Sequence, residues 1–149
     1  MTLNLQLVIY SVLFALGNYL DYITTYLGME GLSKEEMKDK ELNIFVDSKI
    51  HNRKFTTKWK VLFGSILIGL CVYASLQMGE VYILFKIATV LIYIVVLNNL
   101  IAYWAQRNKK LSPGRFLREK LRFPKTLAFL VLIATYFLLA CVFTGYVLL

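Results

Sequence analysis

Acidic residues are scarce in this chain, and so are the residues that most often carry chemistry. Its 149 residues hold 9 Asp and Glu against 17 Lys and Arg, with 1 histidine and 2 cysteines. Cys71 and Cys141 each sit alone inside an apolar run, without metal-ligand spacing and with no histidine nearby. Both read as small apolar packing residues at similar depths. The one histidine, His51, lies in the basic stretch Lys49-Ile50-His51-Asn52-Arg53, where a solvated loop or contact with phosphate headgroups accounts for it. Gly-x-Ser-x-Gly, phosphate-loop and His-Glu-x-x-His motifs are missing, which leaves catalysis with little support. No basic segment precedes the first apolar run, which starts at Leu3 and outlasts a signal peptide. Internal repeats and low-complexity tracts are also missing, so the chain reads as one domain.

What the sequence has in abundance is apolar side chains. They make up 58% of it, and the mean hydropathy is +0.61, the range of chains that use lipid as solvent. Four runs are long enough to approach the roughly 20 helical residues that cross a hydrocarbon core. They cover about 3–27, 59–78, 81–104 and 123–149, with a tight turn at Gly79-Glu80. The runs are continuous rather than alternating, which favours helices over strands.

The net charge of +8 could mean nucleic acid, but its distribution says otherwise. Every Lys and Arg except Lys86 falls in residues 34–60 or 107–125. Cations sorted into the connections between apolar runs set membrane topology. The positive-inside rule places loops 28–58 and 105–122 in the cytoplasm and both termini outside. Trp59, Tyr103 and Trp104 stand where the spans meet the basic side, as interfacial anchors do. Lys86, about five residues inside the outer end of its span, is close enough to snorkel.

Two cytoplasmic connections carry helix signals. In the first, Ser33 and Glu36 form a capping box, and Leu42, Phe45, Val46 and Ile50 share a helical face. In the third, Ser112-Pro113 supplies an N-cap and first helical position. Phe116, Leu117 and Leu121 then fall among Arg115, Arg118, Lys120 and Arg122, the pattern of a short helix lying on anionic headgroups. A solvated basic loop that only fixes topology is the simpler alternative.

Asp21 is the most informative residue. A carboxylate facing lipid costs about 2.5–3.5 kcal/mol, so it is expected to face the bundle. Asn18, Asp21 and Thr25 share one face by their i, i+3, i+7 spacing, with Thr24 beside it. Lys86 lies roughly 18 Å away in depth and is a poor partner. Asn98 and Asn99 lie at the depth of Asp21 and diverge by about 100°, so only one of them can face it. The cluster reads either as hydrogen-bonding glue between helices or as a cytoplasm-facing pocket for a cation, proton or polar headgroup.

Asn18-x-x-Asp21-x-x-Thr24-Thr25, followed by Glu41-x-Asn43, resembles the domain-of-unknown-function family 5658 of small prokaryotic membrane proteins. The resemblance covers roughly residues 15–45. It departs where Ile44 replaces a proline and where the charged segment 33–40 intervenes. It implies that Glu41 and Asn43 fold back toward Asp21. These are hard oxygen ligands of the kind Mg²⁺ or Ca²⁺ takes, though no fixed spacing demands a metal, and no cofactor is implied.

The expected fold is therefore an all-α integral membrane four-helix bundle, with short amphipathic cytoplasmic helices in loops 1 and 3. The expected role is that of a non-enzymatic accessory or interaction subunit. Its expected partners are anionic lipid headgroups and other membrane subunits or itself, with no nucleic acid. The alternative is a small protein that binds or transports a cation, proton or polar solute through the Asp/Asn/Thr cluster.

Overall fold

The computed structural model describes residues 2–29 and 53–147, and all regular structure among them is helical. Four long helices dominate: α1 (Leu3–Met29), α2 (Arg53–Gln77), α3 (Val81–Arg107) and α5 (Lys125–Val147). Between α3 and α5, a single helical turn, α4 (Pro113–Arg115), widens into a π-type turn over Phe116–Lys120.

Among the described residues, three helices are long and apolar enough to cross a membrane, over Leu3–Gly28, Val81–Arg107 and Lys125–Gly145. The second helix differs from the span expected at 59–78. Its apolar part is Val61–Gln77, 17 residues or about 26 Å of rise. The preceding turns of the same helix carry Arg53, Lys54, Lys58 and Lys60, so the helix outruns its apolar length.

The best-packed contact is a seam between α1 and α3. On α1 the seam is Leu7, Tyr10, Phe14, Gly17, Asp21 and Thr24, in alternating steps of three and four. On α3 the same steps give Tyr82, Phe85, Thr89, Ile92, Val96 and Asn99. That spacing lets ridges of one helix fill grooves of the other at a shallow crossing. Partners ascend together along the two helices. The rings of Tyr10 and Tyr82 meet edge to face at 5.5 Å, and those of Phe14 and Phe85 at 5.8 Å. Further along both helices the Asn99 amide reaches Asp21 Oδ1 at 3.0 Å, and the Tyr93 hydroxyl donates to the Leu13 carbonyl at 2.9 Å. The two helices therefore run parallel. At Gly17 they come so close that a Cβ would stand 2.5 Å from Ile92 Cγ2.

The other two long helices flank this pair. From α2, Ile68, Cys71 and Val72 pack against the cluster of Leu7, Phe14, Tyr82 and Phe85, and Ser75 is fully buried. Helix α5 packs on α3, burying the small residues Ala128, Ala140 and Thr144. Leu127, Leu130, Ile133 and Phe137 stay exposed on it. Side chains of this kind gain little by leaving lipid, so close packing and polar contacts hold such helices together. Small residues serve that packing selectively: Ser75, Ala140 and Thr144 are buried, whereas Ser65, Gly69 and Gly145 are exposed.

The ends of α3 are well defined. Near its start the Lys86 ammonium reaches back over the Tyr82 ring, 5.0 Å from its centroid. At its finish, Lys110 N–H donates to the Ala105 carbonyl at 2.7 Å and Lys109 N–H to that of Gln106 at 3.2 Å. This is a Schellman cap, and Lys109 takes its left-handed position at φ 54° where glycine is usual. After the cap, the Ser112 hydroxyl accepts from Arg115 N–H and Pro113 opens the turn, as the sequence indicates. The amphipathic helix expected there extends no further than Lys120, where the widened turn gives way to Arg122 at φ 55°.

Candidate functional site

The polar half of the α1–α3 seam gathers most of the candidate residues. Asp21 lies eight residues before the end of α1, and Asn99 eight before the end of α3. Each is thus about 12 Å from its helix terminus. Parallel helices with matched ends bring the two to one level. The Asn99 amide donates to Asp21 Oδ1 at 3.0 Å, to Thr25 Oγ1 at 3.1 Å and to Thr24 Oγ1 at 3.4 Å. An amide NH₂ has two protons, so three acceptors share them.

Local helix geometry prepares these acceptors. The Thr24 hydroxyl donates backward to the carbonyls of Leu20 at 2.9 Å and Asp21 at 3.2 Å, leaving its lone pairs to face α3. Thr24 is buried; Asp21, Thr25 and Asn99 are half-buried. Three oxygens from one helix thus converge on one nitrogen from another. Such an arrangement clamps two helices. With the amide turned over, it would also present four oxygens to a small cation.

Asn98 and Asn99 point to different neighbours, as adjacent helical positions must. Asn98 Oδ1 accepts from the Tyr136 hydroxyl of α5 at 2.6 Å. Asn18 is not part of the cluster. Its amide donates to the Phe14 carbonyl at 3.0 Å, and its head group faces Gly64 of α2, where a Cβ would stand 3.9 Å from Asn18 Cγ. Glu41 and Asn43, the capping box at Ser33 and the apolar face at 42–50 lie outside the described residues. Among the described residues, no three His, Cys, Asp or Glu side chains gather as metal ligands.

The cationic candidates occupy the connection between α3 and α5. Arg115 Nε meets Glu119 Oε1 at 2.7 Å, an exposed pair one helical turn apart. Arg118 is half-buried, while Lys120 and Arg122 are exposed. Just before them, Arg107 lies over the Tyr103 ring at 4.9 Å and Lys110 over the Trp104 ring at 4.8 Å. These pairs set a cation against each of the two aromatic rings near the end of α3.

No protein-family model, curated protein or solved structure matches the chain. The likeness to family 5658 accordingly rests on its motif residues alone.

Three contributors escaped the sequence reading. Tyr136 joins α5 to Asn98, Tyr93 joins α3 to α1, and Gly17 permits the close approach between those two helices. A tyrosine hydroxyl inside an apolar run usually finds a partner, and that tendency is the signal that could have exposed Tyr136. Helix rise puts it about 16 Å from Lys125, close to the roughly 13 Å that separates Asn98 from Arg107.

Proposed function

We propose that the chain is a four-span membrane protein acting as a non-enzymatic accessory or interaction subunit of a membrane complex. Its basic connections face the cytoplasm and both termini face out. The parallel run of α1 and α3 supports four spans. To enter twice from one side, the chain must return between them, and α2 is the helix that does so. A short apolar stretch is accommodated by local thinning of the bilayer.

The single observation that carries the role is the destination of the polar side chains. Asn99 directs its amide to three groups of α1, and Asn98 takes its bond from α5. These asparagine contacts hold helices to one another, and the outer faces of α2 and α5 are apolar. Affinity purification in mild detergent, followed by mass spectrometry, tests this reading. Recovery with a stoichiometric membrane partner or as a homo-oligomer is expected, and a lone monomer refutes it. Asp21→Asn is expected to lower assembly or stability.

A second reading has its own observation. The convergence of Asp21 Oδ1, Thr25 Oγ1 and Thr24 Oγ1 on one point makes a small oxygen-lined seat about 12 Å from the basic end. A cation or proton carrier working there would lose flux in proteoliposomes on Asp21→Asn while keeping its assembly. Unchanged flux and unchanged assembly would dispose of both roles for Asp21.

A further inference from the structure

On the opposite flank of α3, a groove opens between α3, the connecting turn and α5, with a volume of about 390 Å³. Ile101 forms one wall, Val131 and Leu132 the other, and Leu111, Phe116 and Leu117 close the basic end. The one hydroxyl in the lining, Thr135, donates back to the Val131 carbonyl at 2.8 Å. The interior thus calls for an apolar occupant. The turn that closes it favours an anion: Arg118 and Lys120 follow the lining residues Phe116 and Leu117 directly, and Arg122 comes next, while the one acid, Glu119, is paired with Arg115.

The turn explains why the two requirements meet. Phe116 and Leu117 belong to the π-type turn, so the residues that line the groove are interleaved with Arg115, Arg118 and Lys120. Left-handed residues at Lys109 and Arg122 bracket the segment and fold it back against α5. Trp104 and Tyr103, capped by Lys110 and Arg107, put this end of the bundle at headgroup level.

We propose that the groove is a binding site for one anionic glycerophospholipid. An acyl chain lies between Ile101, Leu117 and Val131, and the phosphate sits against the cations of the turn. This differs from the general attraction of a basic loop for anionic membranes, because it requires a fixed stoichiometry and an acyl chain. It stands independently of the role proposed for Asp21.

The test uses the full-length protein in phosphatidylcholine nanodiscs to which phosphatidylglycerol is added, with retained lipid counted by native mass spectrometry. One phosphatidylglycerol per chain is expected, retained at least tenfold over phosphatidylcholine. Val131→Trp, which fills the groove, should reduce retention about tenfold. Leu117→Trp, in the turn and outside the spans, should do the same if the first variant proves unstable by circular dichroism. Joint Lys120→Gln and Arg122→Gln changes should erase the preference for the anionic lipid. Soluble glycerol phosphate should not compete. Equal retention of the two lipids, full retention by a folded groove-filled variant, or displacement by glycerol phosphate would each overturn the proposal.

Discussion

Removing the Asn99 side chain should separate the two ways of reading the adjacent asparagines. In Asn99→Ala, two amide protons are lost from three acceptors at 3.0, 3.1 and 3.4 Å. Hydrogen bonds between membrane helices average about 0.6 kcal/mol and reach about 1.7 kcal/mol. Two shared bonds, with acceptors left behind on α1, give a loss of about 1–3 kcal/mol. The decisive quantity is the coupling in a double-mutant cycle with Asp21→Ala. Between Asn99 and Asp21 it should be about 0.6–1.7 kcal/mol. Between Asn98 and Asp21 it should vanish to within about 0.3–0.5 kcal/mol, because Asn98 serves Tyr136 instead. Reversible unfolding by sodium dodecyl sulfate in mixed micelles, followed by circular dichroism, supplies the free energies. Additive effects at Asn99 and Asp21, or coupling at Asn98 and Asp21, would refute the assignment.

Other expectations follow from single positions. Gly17→Ala places a Cβ against the stiff Ile92 side chain and should cost about 1–3 kcal/mol in the same unfolding assay. Lys109→Gly relieves a left-handed lysine and should stabilise by up to about 1 kcal/mol, whereas Lys110→Gly, next to it, should not. The Tyr82 hydroxyl is buried with no hydrogen-bond partner among the described residues, so Tyr82→Phe should leave the midpoint unchanged or raise it.

Much of the helical layout was legible because continuous apolar runs and sorted cations are strong signals. The starts of α1 and α3 fall where the apolar runs begin, at Leu3 and Val81. Depth alone put Asp21 level with Asn98 and Asn99, and helical divergence allowed one of them to face it. The choice of Asn99 needed the seam, whose three–four rhythm is partly hidden by apolar residues on every side of α1 and α3. Asn18 shares a face with Asp21 by spacing, yet lies one edge over, against Gly64 of α2. A one-helix pattern cannot tell which neighbour covers which edge. Gly17 and Tyr136 matter through partners far away in sequence, a contact no local pattern records. The left-handed conformations of Lys109 and Arg122 escaped notice because neither is a glycine. The same two residues confine the expected interfacial helix to a turn.

The clamp between α1 and α3 also bears on how the protein is made. Asp21 and Asn99 are 78 positions apart. At about 5–20 residues per second, synthesis from one to the other takes roughly 4–16 s. During that interval the first helix holds a carboxyl and two threonine hydroxyls in the membrane before the amide that donates to them exists. Biogenesis therefore has a waiting stage, which ends when α3 brings the donor to these oxygens.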